Sequence, residues 1–426
     1  MKIHFVGIGG IGISALAQFC LSRGDIVTGS EMQETVILPK LRKLGIKVIL
    51  PQKEENIAED TDLLVYSEAV PETNPERVFA TKNNIPQKSY FAYLGEISKG
   101  YRTIAVCGTH GKTSTIALLA TGLATTNLDP TVIVGTTLPQ FGETNFQKGS
   151  GEWLLVEACE YRRNFRFLNP EVVVLADLDY DHPDAFPTEN DYYQAFADFC
   201  NSAETVIYHD NEKSRRVLVT FKGNRITVTE LEQPLYYNII SGGCNQRNLS
   251  LALETANYLD VDLEEFKKGL ESFVSPGRRQ EYLGEKNGIH IYDDYAHHPT
   301  ELKALIAVLR EKHPNKNITM IFEPHQHART IQFFDGFVEV LQLPDKIGIF
   351  PIYPARDAEE DKQKMPTSKL IQAIPNAIEI KDVADAKEFA SQLSKGDVLV
   401  FTGAGKVDEL AKEFIIKGFD FGGNII

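Results

Sequence analysis

The chain has 426 residues, 42% of them hydrophobic and 24% charged, and a formal net charge of −15. This length exceeds one ordinary core and predicts two or three domains, while the balanced composition excludes a large disordered tail. The acidity excludes a nucleic-acid or anionic-membrane surface, which needs clustered Lys and Arg.

Apolar, β-branched runs alternate with helical patterns from end to end, which predicts α/β units with parallel sheets. The first strands are KIHFVGI, DIVTGS, IKVIL and DLLVYS, with a helix from about Ile13 to Ser22. A polar, Gly-containing reset around Tyr93 to Tyr101 precedes a fresh strand, TIAVCG, which is followed by WLLVEA, EVVVLADLD and TVIYH. A second reset at SFVSPGRR (272–279) introduces IHIYDDY, NITMIFEPH, KIGIFPIY and DVLVFTGAG, with helices such as ELKALIAVLREKH between them. The pattern predicts three α/β domains, 1–97, 98–273 and 274–426. Five scattered cysteines (Cys20, Cys107, Cys159, Cys200, Cys244) without a C-x-x-C read as reduced thiols. No export-like segment and no apolar run of about 18 residues is visible, so a cytoplasmic location without membrane insertion is expected.

Two loops carry phosphate chemistry. In FVGIGGIGIS, Gly7 permits a tight turn, Gly9 lets backbone approach a diphosphate, and Gly12 allows the helix to pack closely on the strand. The helix N-terminus offers free N–H groups to an anion. An acidic residue at Glu31, after Gly29 and Ser30, is placed to bond a ribose hydroxyl. Alone, this loop reads as a nicotinamide or flavin site, or as a Gly-rich turn with no ligand. The second loop, Gly108-Thr109-His110-Gly111-Lys112-Thr113-Ser114, lies between a buried strand and an apolar helix. The strict P-loop pattern has Gly where this chain has Val106, but the working parts remain. Gly111 makes the turn, Lys112 reaches the β/γ-phosphates, and the Thr113 and Ser114 hydroxyls serve magnesium.

GTHGKTST together with GIGGIGIS resembles the Mur ligase family, which builds the peptide stem of peptidoglycan. Further matches follow in the family's order: VEACEYRRNF, LDYDHPDAF, GGCNQRN, PGRRQEYLG, DDYAHHPTE, FEPHQHART and TGAGKVDELA. The resemblance covers nearly the whole chain. It implies a Rossmann-like N-terminal domain for the UDP-sugar, a central P-loop ATPase-like domain, and a Rossmann-like C-terminal domain for the amino acid. The implied reaction uses ATP and Mg²⁺ to join L-alanine to the lactyl carboxylate of UDP-N-acetylmuramate through an acyl phosphate. Such a site needs cations and placed donors rather than a covalent nucleophile.

The resemblance also implies roles. Gly7, Gly9, Gly10, Ile11, Gly12, Ser30, Glu31 and Ser67 would hold the UDP-sugar. Thr113, Glu157 and His182 would hold magnesium, and Lys112 the phosphates. Either Arg278 or Arg279 would reach the γ-phosphate. Asn245 and Asn248 would recognise adenine, although a polar N-cap explains one of them. Asp293 would take the nucleotide ribose, with Tyr295 near the base, and His298, His325 and Arg329 would meet the amino acid and sugar carboxylates. Four histidines (His297, His298, His325, His327) leave zinc as a rival.

The chain departs from the family pattern at Ala176-Asp177 (usually Thr-Asn), Asp179 (Glu), Cys244 (His) and Lys406 (Asp). The window YYQAFADFC lacks the carbamylated lysine of relatives that add later amino acids. Competing expectations are a family member that attaches a whole tripeptide to the same sugar, a non-catalytic nucleotide sensor, and an NAD-dependent dehydrogenase. Closure about hinges near 95–101 and 272–278 is expected to assemble the reactants.

Overall fold

The computed structural model describes residues 1–229, 242–355 and 357–417. Three sheets follow one another along the chain. The first contains β1 (Lys2–Val6), β2 (Ile26–Ser30), β3 (Lys47–Ile49), β4 (Leu63–Tyr66) and β5 (Gln87–Ser89), ordered β3-β2-β1-β4-β5 and parallel throughout. Its order reverses at β1, so the crevice beyond that strand's carboxyl end is where a ligand belongs. FVGIGGIGIS occupies that end, and the helix Ile11–Ser22 leaves it.

The second sheet contains β6 (Arg102–Cys107), β7 (Thr131–Leu138), β8 (Thr144–Gln147), β9 (Trp153–Glu157), β10 (Val172–Leu175), β11 (Thr205–His209) and β12 (Asn224–Val228). Its order is β12-β11-β10-β6-β9-β7-β8, with only β8 antiparallel to its neighbour. Central β6 is buried almost throughout, which explains its continuous apolar run. Its neighbours β9 and β10 deliver Glu157 and the Ala176-Asp177 pair beside the loop that follows β6.

The third sheet contains β13 (Glu281–Lys286), β14 (Ile289–Asp294), β15 (Ile318–Glu323), β16 (Lys346–Ile349), β17 (Ile378–Glu379) and β18 (Val398–Gly403). Its order is β13-β14-β18-β15-β16-β17, parallel except for the β13–β14 pair. Alternate residues of β18 feed opposite cores. Val398 and Val400 pack on one face, and Leu399 and Phe401 on the other, so helices cover both sides. The fold is thus three α/β domains. By contacts it divides into two compact units, one carrying the first two sheets and the other carrying the third sheet with residues 180–191.

Two local expectations need correction. The stretch read as a polar reset from Tyr93 is the body of a helix, Tyr90–Ser98, capped by the Ser89 hydroxyl and burying Tyr93, Leu94 and Ile97. Its Ser and Gly residues are compatible with a helix because Gly95 packs against the Phe167 backbone, where a Cβ would come within 2.2 Å of the carbonyl oxygen. The helix carrying Asn245 and Asn248 begins at Gly243, so Asn245 lies inside its first turn and is not its cap. No helix among the described residues is long and apolar enough to cross a membrane.

Candidate functional site

At the first loop, Gly7 adopts φ +77°, and the N–H groups of Gly7 and Ile8 donate to the Ser30 carbonyl at 2.9 and 3.0 Å. The Gly9 N–H donates to the Glu31 carboxylate at 2.9 Å. The protein's own acid therefore sits where a bound anion is expected. A Cβ on Gly9 would meet Thr35 Oγ1 at 2.7 Å and Glu31 Oε2 at 2.8 Å. Gly12 departs from its expected role: a Cβ at this position would come within 2.9 Å of the Tyr90 ring, so the group it must clear is that ring and not the neighbouring strand. Ser67 packs beside Gly7, Gly10 is the N-cap of the helix, and the Ile11 carbonyl accepts from Asn145 Nδ2. The Ser30 side chain is fully buried, turned away from solvent toward Glu76.

The second loop is organised around a cation. Gly111 adopts φ +83° and caps the helix Lys112–Leu123, whose side faces the apolar core. A Cβ there would lie 2.4 Å from Asn248 Oδ1, which places Asn248 directly against the turn. Lys112 Nζ donates to the carbonyls of Gly108 (2.6 Å) and Thr109 (3.2 Å) and to Glu160 (3.0 Å). Burial opposes its charge, but Glu160 and Glu157 outweigh that and hold its pKa above the ordinary lysine value. Thr113 Oγ1 donates to Glu157 Oε2 at 3.2 Å. A hydroxyl and a carboxylate so close form a hard-oxygen pair that fits Mg²⁺. Ser114 follows in the same first turn.

The departures at 176–179 become intelligible here. The Asp177 backbone carbonyl accepts from the N–H groups of Thr109 and His110 at 2.8 and 3.1 Å, a contact indifferent to the side chain. Ala176 lies 3.0 Å from a Cβ on Gly108, so a small residue suits that approach. Thr109 Oγ1 donates to the Asp179 carbonyl at 2.6 Å and bonds the Tyr192 hydroxyl at 2.8 Å. His110 lies 3.7 Å from the Asp179 carboxylate, which also pairs with Lys213 at 3.0 Å. The lysine-free window forms the helix Glu189–Cys200, whose Phe196 and Phe199 pack on Phe165.

In the third domain, Asp293, one residue before the end of β14, is fully buried, and neither carboxylate oxygen has a hydrogen-bond partner among the described residues. Burial raises its pKa to about 7, against the pull of Arg278. Asp294 beside it accepts from the N–H groups of Gln280 and Ala296, each at 2.7 Å. Arg278 is heavily committed: it pairs with Asp293 and Asp408, each at 3.5 Å, and donates to the Gly403 and Gly405 carbonyls. Arg279 lies over the Tyr295 ring, 5.2 Å from its centroid. Asn245 Nδ2 donates to Gln280 Oε1 at 3.0 Å. Lys406 is exposed, and nothing in the structure explains its replacement of an aspartate.

Arg329 is 2% exposed and donates from Nε and Nη2 to Asp181, at 2.9 and 3.2 Å. Its Nη1 reaches His325 Nδ1 at 3.1 Å, and the His325 ring stacks on Tyr353. Against burial, which opposes its charge, neighbouring His182 and then Arg329 hold the Asp181 carboxyl well below the usual range. Of the four histidines, His297 and His325 meet edge to face with ring centroids 6.0 Å apart, but all four have other partners. His327 donates to the Met365 carbonyl, His297 to the Tyr295 carbonyl, and His298 caps the helix Pro299–Lys312. His325 is joined to Arg329, so these four offer no common zinc site among themselves. His182 takes φ +56°, and its N–H donates to Asp181.

Comparison with known proteins decides the family. Three family models match: the Mur ligase family catalytic domain over residues 2–102, the Mur ligase middle domain over 106–238, and the Mur ligase glutamate ligase domain over 278–405. Curated relatives span the whole chain. The UDP-N-acetylmuramate–L-alanine ligase of Clostridium acetobutylicum is 33% identical over 98% of each chain, and that of Aquifex aeolicus is 35% identical over 97% of each. The chain belongs to the Mur ligase family. The solved UDP-N-acetylmuramate-alanine ligase of Thermotoga maritima superposes with a TM-score of 0.80 at 27% identity, covering 98% of this chain and 99% of that one. Membership in this family accounts for both loops in one protein, which the dehydrogenase expectation did not.

Sequence reasoning missed three participants. Glu160 and Asp181 lie inside quoted motifs, but nothing in their spacing announced that each neutralises a particular buried cation. Tyr90 gave no signal at all, because its contact with Gly12 spans 78 positions of sequence.

Proposed function

We propose that this protein joins L-alanine to the lactyl carboxylate of UDP-N-acetylmuramate at the expense of ATP. The observation that carries the reading is the pair of phosphate loops at the carboxyl ends of β1 and β6, within a chain matched end to end by ligases of that name. A lactyl carboxylate oxygen bonds the γ-phosphorus as the bond to ADP breaks. The L-alanine amine then bonds the acyl carbon, loses a proton, and expels phosphate. Every reactant is anionic or polar, so the protein's contribution is to position them and stabilise developing charge.

The residues divide accordingly. Gly7, Gly9, Gly10, Ile11 and Gly12 receive the UDP diphosphate, with Glu31 and Ser67 around the nucleoside, and the buried Ser30 contributes through its carbonyl, which holds the Gly7–Ile8 turn. Gly108 to Ser114 receive the ATP phosphates, and Lys112 supplies the cation. Thr113, Glu157 and His182 would hold Mg²⁺, which would supply charge neutralisation for the phosphates. Asn245 and Asn248 serve the adenine, and Asp293 and Tyr295 the nucleoside. Of the two arginines, Arg279 is assigned to the transferring phosphoryl group, because Arg278 is held by four groups of its own domain. His298, His325 and Arg329 serve the amino acid, with Asp181 exchanging for the incoming carboxylate on Arg329. Use of ATP supports a cytoplasmic location.

The test is phosphate release from ATP and Mg²⁺ with UDP-N-acetylmuramate and, separately, L-alanine, glycine, L-serine or the tripeptide. Release with L-alanine is expected. Release only with the tripeptide would transfer the protein to the recycling reaction, and no release with any acceptor would refute ligase activity.

A further inference from the structure

Beneath the first loop lies a polar cluster that the reaction does not explain. His4, between the apolar Ile3 and Phe5 of β1, is completely buried, and the helix Pro75–Lys82 contributes Glu76, also completely buried. The Glu76 carboxylate accepts four contacts. Ser30 Oγ donates to Oε2, and His4 Nε2 approaches the same oxygen at 3.4 Å. Asn56 Nδ2 donates to Oε1 at 2.7 Å, and the Lys53 N–H at 3.1 Å. The other face of His4 is fixed by Thr28 Oγ1, 2.8 Å from Nδ1, in the register that pairs His4 with Thr28 across β1 and β2.

This arrangement is costly to build for stability alone, since an ionised buried carboxylate gains little over packed apolar residues. What it achieves is geometric. Ser30 is the last residue of β2, and its carbonyl is the acceptor for the N–H groups of Gly7 and Ile8. The side chain that anchors to Glu76 and the carbonyl that holds the glycine turn therefore belong to one residue. Glu76 sits in the first turn of its helix, where Asn74 caps the Glu76 N–H at 2.9 Å, an electrostatic setting that favours its charged form. His4, Ser30, Lys53 and Asn56 lower its pKa or bond to it from three separate segments, so one carboxylate registers β1, β2 and the segment after β3.

We infer that Glu76 is a positioning residue for the UDP-sugar, fixing through Ser30 the Gly7–Ile8 turn that receives the diphosphate. The inference rests on the proposed function only for the identity of the ligand. Glu76 touches no substrate, so its effect must pass through Ser30 and appear in the affinity for the sugar nucleotide alone.

The experiment is steady-state kinetics of the full chain carrying Glu76→Gln, Ser30→Ala, both together, and Asn56→Ala. Glu76→Gln is expected to raise KM for UDP-N-acetylmuramate about tenfold while kcat and KM for ATP stay within about twofold. The double variant is expected to match the worse single variant, because both act along one path. An unchanged sugar KM in folded Glu76→Gln protein, or equal loss in kcat and both KM values, would overturn the inference. Effects of Glu76→Gln and Ser30→Ala that multiply would overturn it too. Should Glu76→Gln fail to fold, Ser30→Ala and Asn56→Ala decide: a selective rise in sugar KM in both supports the inference, and no change in either overturns it. A wild-type protein inactive with UDP-N-acetylmuramate would instead refute the ligase reading.

Discussion

The two phosphate loops follow the central strands of their sheets, begin with positive-φ glycines and lead into apolar helices, yet they handle charge in opposite ways. The first loop contains no cation. Its Gly9 N–H is occupied by Glu31, an internal acid in the place of an anion. The second loop is built on Lys112, whose charge is balanced by Glu160 and by two loop carbonyls. The difference follows from what each must do. A diphosphate that is only held can be met by backbone dipoles at a helix terminus. A γ-phosphoryl that is transferred needs a cation where charge shifts.

Removing the cation is the strongest way to break this comparison. Lys112→Ala is expected to lower kcat by roughly 10³-fold without changing KM for UDP-N-acetylmuramate, read from initial rates at saturating and limiting sugar. Next come the glycines. Gly7 at φ +77° and Gly111 at φ +83° both adopt backbone that an alanine enters at a cost of about 1–2 kcal/mol. Gly111→Ala also meets Asn248 Oδ1, so it is expected to raise KM for ATP by about tenfold, whereas Gly7→Ala is expected to raise the sugar KM alone.

Smaller effects sharpen the contrast. Glu31→Gln removes the anion competing for Gly9, so inorganic pyrophosphate should compete with the UDP-sugar roughly three- to tenfold more strongly, measured as its inhibition constant. The smallest concerns Asp293. Its carboxyl is raised from 3.8 to about 7 by burial, so ionisation opposes the folded state. Stability from this group is complete below the ordinary carboxylate range and is lost as pH rises through about 7. Asp293→Asn is expected to narrow the difference in melting temperature between about pH 5 and about pH 8.

Most of the framework was legible because it depends on local pattern. β-branched runs gave the strands, and the glycines and Lys112 marked the loops at strand ends. What could not be read was the pairing of distant groups. Ser30 looked like a ligand residue and is a buried anchor for Glu76. Arg329 reads as a carboxylate receptor, and its pairing with Asp181 gave no signal in the sequence. Gly12 looked like a strand contact and clears Tyr90. In each case the partner lies between 46 and 148 residues away, and only folding brings it near. The helix Tyr90–Ser98 was misread for a different reason: its Ser and Gly suggest a break, and tertiary packing overrides that weak preference.

The claim that the two loops hold two different ligands is tested most directly by calorimetric binding to Gly9→Val and Lys112→Ala proteins. Each would be titrated with UDP-N-acetylmuramate and with a non-hydrolysable ATP analogue. Gly9→Val is expected to lose the sugar nucleotide and keep the ATP analogue, and Lys112→Ala to do the reverse. Loss of the same ligand by both folded variants would contradict the claim.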